Sequence, residues 1–78
     1  MEVRLATFES PDGSQRVVLC RRIDGNFTYR MQFADLNMLD GPDFGWGRLG
    51  PDCGVYDTIE TAEAEAMQRV AWLKLRFN

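Results

Sequence analysis

Phe27-Thr28-Tyr29-Arg30-Met31-Gln32-Phe33 alternates along its whole length, with large apolar side chains at odd positions and polar ones at even positions. A period of two places Phe27, Tyr29, Met31 and Phe33 on one face of a β-strand and Thr28, Arg30 and Gln32 on the other. Asp24-Gly25 stands just before it. This dipeptide favours a tight reversal, since two-residue hairpin loops need positive φ at both central residues. Gln15–Ile23, rich in Val17, Val18 and Leu19, therefore reads as the preceding strand. Upstream, Ser10-Pro11-Asp12-Gly13-Ser14 carries proline, aspartate and glycine where a turn uses them. Residues 2–9, with Val3, Leu5 and Thr7 alternating against Arg4, Ala6 and Phe8, read as the first strand.

Turn length sets register, and register sets the faces. A two-residue Asp24-Gly25 loop makes Ile23 oppose Asn26, Cys20 oppose Tyr29 and Val18 oppose Met31. If Ser10 opposes Ser14, Ala6 opposes Val18 and Phe8 opposes Arg16. One face then presents Ala6, Phe8, Val18, Cys20, Phe27, Tyr29, Met31 and Phe33, with Arg4, Arg16 and Arg22 at its margins. The other presents Val3, Leu5, Val17, Leu19 and Ile23, with Arg21 and Arg30 among them. A sheet packed on one side has a polar outer face; this one is half apolar and requires a cover.

From Asp57 the period changes. Ile59, Ala62, Ala66, Val70, Leu73 and Phe77 recur at three- and four-residue steps and form one helical stripe. Asp57 or Thr58 is the expected N-cap, and Asp57-Thr58-Ile59-Glu60 has the spacing of a capping box. Glu60, Glu63 and Glu65 come early and Arg69, Lys74 and Arg76 late, which complements the helix dipole. The expected fold is α+β: a three-stranded antiparallel meander, a long Gly/Asp/aromatic-rich connection with a short fourth strand at Val55-Tyr56, and one C-terminal helix packed on the aromatic face. At 78 residues the chain is a single domain, burying only about 60% of its unfolded surface.

The connection, residues 35–56, contains five glycines and two prolines, and unstructured connections longer than about 12–15 residues are uncommon in compact domains. Leu36, Met38, Leu39, Phe44, Trp46 and Tyr56 mark it as ordered, because disordered segments are poor in such residues. It is also acidic. Residues 1–33 sum to +1, residues 34–58 to −4 and residues 59–78 to zero. That balance, with a pI near 4.7, disfavours phosphate backbones as ligands. No run approaches the roughly 20 apolar residues of a membrane span, and no signal-peptide pattern is visible. A soluble, cytoplasmic protein is the expectation. Two thiols in such a setting are ordinarily reduced, although spacing alone leaves a Cys20–Cys53 disulfide open.

Motifs in the connection lack the context that gives them meaning. Gly45-Trp46-Gly47-Arg48-Leu49-Gly50 matches G-x-G-x-x-G, but Pro51 follows and no helix opens there to hold a phosphate. Its glycines are expected to serve turns around Trp46. Asp35-Leu36-Asn37-Met38-Leu39-Asp40-Gly41 fails the calcium-loop pattern, with Leu39, Asp40 and Trp46 at positions five, six and twelve; Leu36 and Leu39 are expected to point inward. The chain has no histidine, and the carboxylates near Cys53 disfavour a reactive thiolate. Asp35, Asp40, Asp43 and Asp52 share one segment, but nothing pairs them with a pocket. We expect no catalytic, cofactor or metal site.

Gly50-Pro51-Asp52-Cys53-Gly54-Val55-Tyr56-Asp57-Thr58-Ile59-Glu60-Thr61-Ala62-Glu63-Ala64-Glu65-Ala66, followed by Trp72-Leu73, resembles small uncharacterised proteins of proteobacteria. The resemblance implies no activity and supplies no site residue. The strand-strand-strand-helix order is similar to that of small DNA-binding domains that lay a sheet in the major groove, a likeness of topology alone. We read the chain as a non-enzymatic protein-binding or regulatory module that acts through segment 35–56 and the second sheet face. Its partner is an unidentified protein or a second copy of itself, with Phe44, Trp46, Tyr56 and Trp72 as candidate contacts. The alternative is nucleic-acid binding by Arg21, Arg30 and an Arg69/Trp72/Arg76 cluster, in which Trp72 lies on the far side of the helix from the apolar stripe.

Overall fold

Both hairpin turns are longer than the shortest loops their sequences allow. In the computed structural model, which describes residues 1–39 and 43–76, Arg22 pairs with Asn26 (N–H to O, 2.7 Å), and Gly25 N–H closes back on Arg22 O at 3.0 Å. The loop is thus the three-residue Ile23-Asp24-Gly25, ending on Gly25 in the left-handed region at φ 87°, the common form next after the two-residue hairpin. At the first turn Ser10 N–H meets Gln15 O at 2.9 Å, leaving four residues in the loop. Asp12 organises it, its Oδ1 accepting from Ser10 Oγ, Ser14 N–H and Ser14 Oγ.

The sheet has the expected antiparallel order β1 (Val3–Glu9), β2 (Gln15–Arg21), β3 (Phe27–Phe33). Its pairing corrects the faces. Leu19 opposes Tyr29 and Val17 opposes Met31, while Ala6 opposes Leu19 and Phe8 opposes Val17. Each turn shifts the pairing by one residue, so β1 and β3 still share a face, two residues displaced along each other, and only the middle strand is reversed. Val17 and Leu19 join Ala6, Phe8, Phe27, Tyr29 and Met31 on one face. Val18 and Cys20 turn to the other, beside Arg4, Arg16, Thr28, Arg30 and Gln32. The register slips once more at Leu5, a bulge between Arg4 and Ala6, which blunts the exposed edge of β1.

The C-terminal helical region covers the first face, as the stripe requires. Ala62, Ala66 and Leu73 are buried against Val17, Leu19 and Tyr29. Thr58 is the N-cap rather than Asp57: its hydroxyl accepts from Thr61 N–H at 3.2 Å, the usual reach of a capping side chain to N3. The helix is not continuous. α1 (Ile59–Arg69) ends at Val70, which is extended (φ −108°, ψ 102°), and α2 (Ala71–Arg76) begins afresh. An unbroken helix would carry Trp72 away from the sheet. The break swings its indole inward, where Nε1–H donates to Gln15 Oε1 at 3.1 Å, and lets Leu73 bury completely. Phe77, the last position of the expected stripe, lies outside the described residues.

Residues 46–56 run antiparallel to β3 as an irregular fourth strand. Trp46 bridges Ala34 and Tyr56 bridges Phe27. Between them Gly47 N–H donates to Phe33 O, Gly50 N–H to Met31 O and Cys53 N–H to Tyr29 O, at 2.8 to 3.0 Å. The segment therefore advances three residues for every two of β3. The surplus carbonyls turn toward the second face, where the even residues of β3 meet them. Gln32 donates to Gly47 O, Arg30 to Gly50 O and Thr28 to Gly54 O. The polar side of the Phe27–Phe33 alternation is thus a row of donors that holds the connection. Thr28 and Gln32 are completely buried in doing so.

Candidate functional site

The glycines of the G-x-G-x-x-G match serve this pairing. A Cβ at Gly50 would lie 3.0 Å from Met31 O, and one at Gly47 3.3 Å from Phe33 O; both are glycine because two backbones approach closely there. Gly45, at φ 82° with nothing within 4 Å of a Cβ, serves a turn. The Gly45, Gly47 and Gly50 N–H groups all donate to carbonyls of the chain, so they are not arranged to receive a phosphate.

The second face is closed by ion pairs and one indole. Arg4 makes a bidentate bond to Asp43 at 2.8 and 2.9 Å, and this fork holds the Asp43 carboxyl below the usual carboxylate range. Arg16 stacks on Trp46, 3.9 Å from the ring centre. Arg30 reaches Glu2 and Asp52, and Asp52 also meets Arg22, which pairs with Asp24. These groups line an open ionic cleft beside Ile23. Beneath them Cys20 is buried with its thiol pushed up to about 11, chiefly by desolvation. Both cysteines are free thiols, with Cys53 packed against the helix-side core. Among the described residues no cluster of three or more thiols and carboxylates could hold a metal ion, and no helix is long and apolar enough to cross a membrane.

The four aromatic candidates have different fates. Trp46 is 7% exposed under Arg16. Tyr56 is half-buried, its hydroxyl bonded to Cys53 O at 2.9 Å. Trp72 is half-buried against the core. Only Phe44, at 64% exposure, faces solvent. Leu36 and Leu39, expected to point inward, are instead 87% and 66% exposed. The reason is the closure of their loop. Asp35 N–H bonds Gly45 O, Met38 N–H bonds Asp35 O, Gly45 N–H bonds Met38 O and Trp46 N–H bonds Asp43 O. The backbone satisfies itself at the base, Arg4 ties Asp43 to β1, and Leu36, Leu39 and Phe44 are left outside. No period marked them, since the loop follows none.

The nucleic-acid set is dispersed. Arg21 opposes Val3 and Phe27 on the helix side, whereas Arg30 opposes Val18 on the other. Arg30 is held between two carboxylates, and Arg69 is paired with Glu65 at 3.1 Å. Arg76 ends α2, and its side chain lies outside the described residues, as does Asp40. Of the other connection aspartates, Asp35 accepts from Asn37 N–H, Asp43 belongs to Arg4 and Asp52 to Arg30. With this geometry, no family model, curated protein or solved structure matches the chain.

Proposed function

We propose that this chain is a small, non-enzymatic protein-binding module that docks through the exposed apolar side chains Leu36, Leu39 and Phe44 of the connection, with Phe44 as its anchor. The observation that carries this is the contrast within the loop. Its base is cross-tied by four backbone hydrogen bonds and the Arg4–Asp43 fork, while Phe44, Leu36 and Leu39 stand in water. Large apolar side chains held out by a rigid base lose little freedom on binding, and buried aromatic anchors dominate protein interfaces. The second sheet face, by contrast, is occupied by the chain itself. The dispersal and pairing of Arg21, Arg30 and Arg69 give the nucleic-acid reading no comparable support.

The test compares proteins retained from a cell extract by the purified chain, by Phe44→Ser and by Ile23→Ser, a still more exposed apolar position on a different turn. Phe44→Ser is expected to keep the circular dichroism and melting temperature of the parent yet lose a retained partner that Ile23→Ser keeps. An unchanged set of partners would overturn the proposal.

A further inference from the structure

Nothing in the sequence of the helical region orders a break. Residues 59–76 contain no proline, glycine or serine, the usual causes of a sharp kink, and Ala71, Leu73 and Lys74 are strong helix formers. The break nevertheless forfeits helical bonds. Ala71 and Trp72 N–H have no backbone partner among the described residues, and Leu73 N–H turns to Val70 O. The bonds on either side survive: Val70 N–H reaches Ala66 O at 2.9 Å and Lys74 N–H reaches Val70 O at 3.2 Å. The departure is thus confined to Val70, at φ −108° and ψ 102° where a helix has about −63° and −42°. Valine is β-branched, at ease in extended backbone and tolerated in helices. What holds the break is Trp72, whose Nε1–H donates to Gln15 Oε1 at 3.1 Å. Its indole is only half-buried, and it shares an open cleft of about 330 Å³ with Tyr29, Met31, Cys53 and Val70. Internal hydrogen bonds are individually worth little net, so the forfeited helical bonds and the single indole contact are terms of similar size.

We propose that Val70 is a one-residue hinge and Trp72 a two-position side chain, docked on Gln15 with the helix broken or displayed to solvent with the helix continuous from Ile59 to Arg76. Turning Val70, mainly about ψ, separates the two. In the straight form the apolar stripe still directs Val70 and Leu73 toward the sheet, while Trp72 stands on the outer face beside Arg69, three residues before it. Ala62 and Ala66, buried against Val17, Leu19 and Tyr29, lie before the hinge and keep their places in both forms. The broken helix is the major form, and the straight one is a minor state of about 1–10%. The hinge thereby sets whether an indole is packed on the sheet or shown to water, independently of the loop that carries Phe44.

Fluorine NMR of the chain carrying fluorotryptophan tests this, since its two tryptophans give one resonance each. Trp46, held under Arg16, is expected to give a single sharp line. Trp72 is expected to show relaxation dispersion from exchange on the microsecond-to-millisecond scale. Gln15→Leu removes the acceptor of the indole and raises the displayed population about five- to tenfold, the worth of one hydrogen bond, with a gain in helical circular dichroism. Ala71→Pro is the decisive variant. Proline at the first position of a helix needs no N–H and holds the preceding residue extended, which is the state of Val70 here; inside a continuous helix it is a breaker. Ala71, being exposed, accepts the ring. Ala71→Pro is therefore expected to melt at or above the temperature of the parent and to abolish the exchange at Trp72. Exchange from any other motion survives the proline. A Trp72 line free of dispersion in both parent and Gln15→Leu overturns the proposal, as does exchange that persists in Ala71→Pro or a sharp fall in its melting temperature. If Gln15→Leu does not fold, the parent and Ala71→Pro decide alone.

Discussion

Gly50→Ala isolates the contact that fixes the connection to the sheet. The new Cβ would stand 3.0 Å from Met31 O, against an ordinary contact limit of 3.4 Å, and the obstructing atom is backbone in the middle of β3. The segment must withdraw by a few tenths of an ångström. Two hydrogen bonds lie along that direction: Gly50 N–H to Met31 O at 2.8 Å and Arg30 Nη1 to Gly50 O at 2.7 Å. Overpacking of this kind costs about 1–3 kcal/mol, and the loss of glycine's unfolded-state freedom returns roughly 0.4–1 kcal/mol. The net expectation is a loss of about 1–2 kcal/mol, or some 4–15 °C in melting temperature for a domain of this size. Urea denaturation followed by tryptophan fluorescence measures it. Gly45 is the control. Alanine there costs a similar amount for a different reason, positive φ without any clash, so Gly45→Asn recovers much of the loss because asparagine tolerates that region. Gly50→Asn, facing a steric obstacle, is worse than Gly50→Ala. If Gly50→Ala is neutral, or asparagine rescues position 50 and not 45, the close-approach account of the glycine-rich motif is refuted.

Three further outcomes test other parts of the structure. Leu19→Ala, at a buried position beside Tyr29 and Ala66, is expected to cost about 2–5 kcal/mol, whereas Ile23→Ala, 81% exposed, stays within about 0.5 kcal/mol; equal costs in urea titrations would contradict the register. Asp12 is held down to about 2 by bonds from Ser14 and Ser10, against an ordinary 3.8. A depressed carboxylate stabilises above its unfolded value and loses that contribution as pH falls from about 4 toward 2, so Asp12→Asn should flatten the melting-temperature profile across that window. The buried Cys20 thiol, raised to about 11, should resist a disulfide reagent at pH 8 while the half-buried Cys53 reacts; two equally fast thiols would show that the second face is open.

The elements were legible in the sequence, and the failures are instructive about which were not. Strand β3 announced itself by alternation, and the helix start by its acids and stripe. Strand β2 could not report its own phase. Val17-Val18-Leu19-Cys20 is buried on both faces, and a run without polar positions gives no penalty for a one-residue slip. The turns should have decided it, but Asp24-Gly25 fits a three-residue loop as well as a two-residue one. The same ambiguity misplaced Arg16, whereas Arg4 is carried to the second face by the bulge at Leu5, which the alternation of residues 2–9 did not announce. Phe44 was among the candidates, yet its distinction from Trp46 was unreadable. Trp46 is set apart by its bridge to Ala34 and by Arg16 lying over it, contacts set by strand pairing and register rather than by any period in the loop.

The largest illegible feature, the stride of three against two, has a physical logic that joins the alternation of β3 to the glycines of the connection. An edge strand must be covered or blunted. β1 is blunted by its bulge at Leu5; β3 is covered by residues 46–56. A regular covering strand would place one residue beside each residue of β3, with alternate carbonyls in the ladder and the rest facing out toward solvent. With three residues per two, one carbonyl in each step points away from β3's backbone, and in a half-buried position it needs a donor. Thr28, Arg30 and Gln32 are those donors, supplied at the two-residue spacing that strand alternation imposes. The extra length is therefore matched to side chains on the strand it covers. Replacing the donor at any one step should loosen that step alone, and the loop that carries Phe44 begins where the last of them, Gln32, holds Gly47.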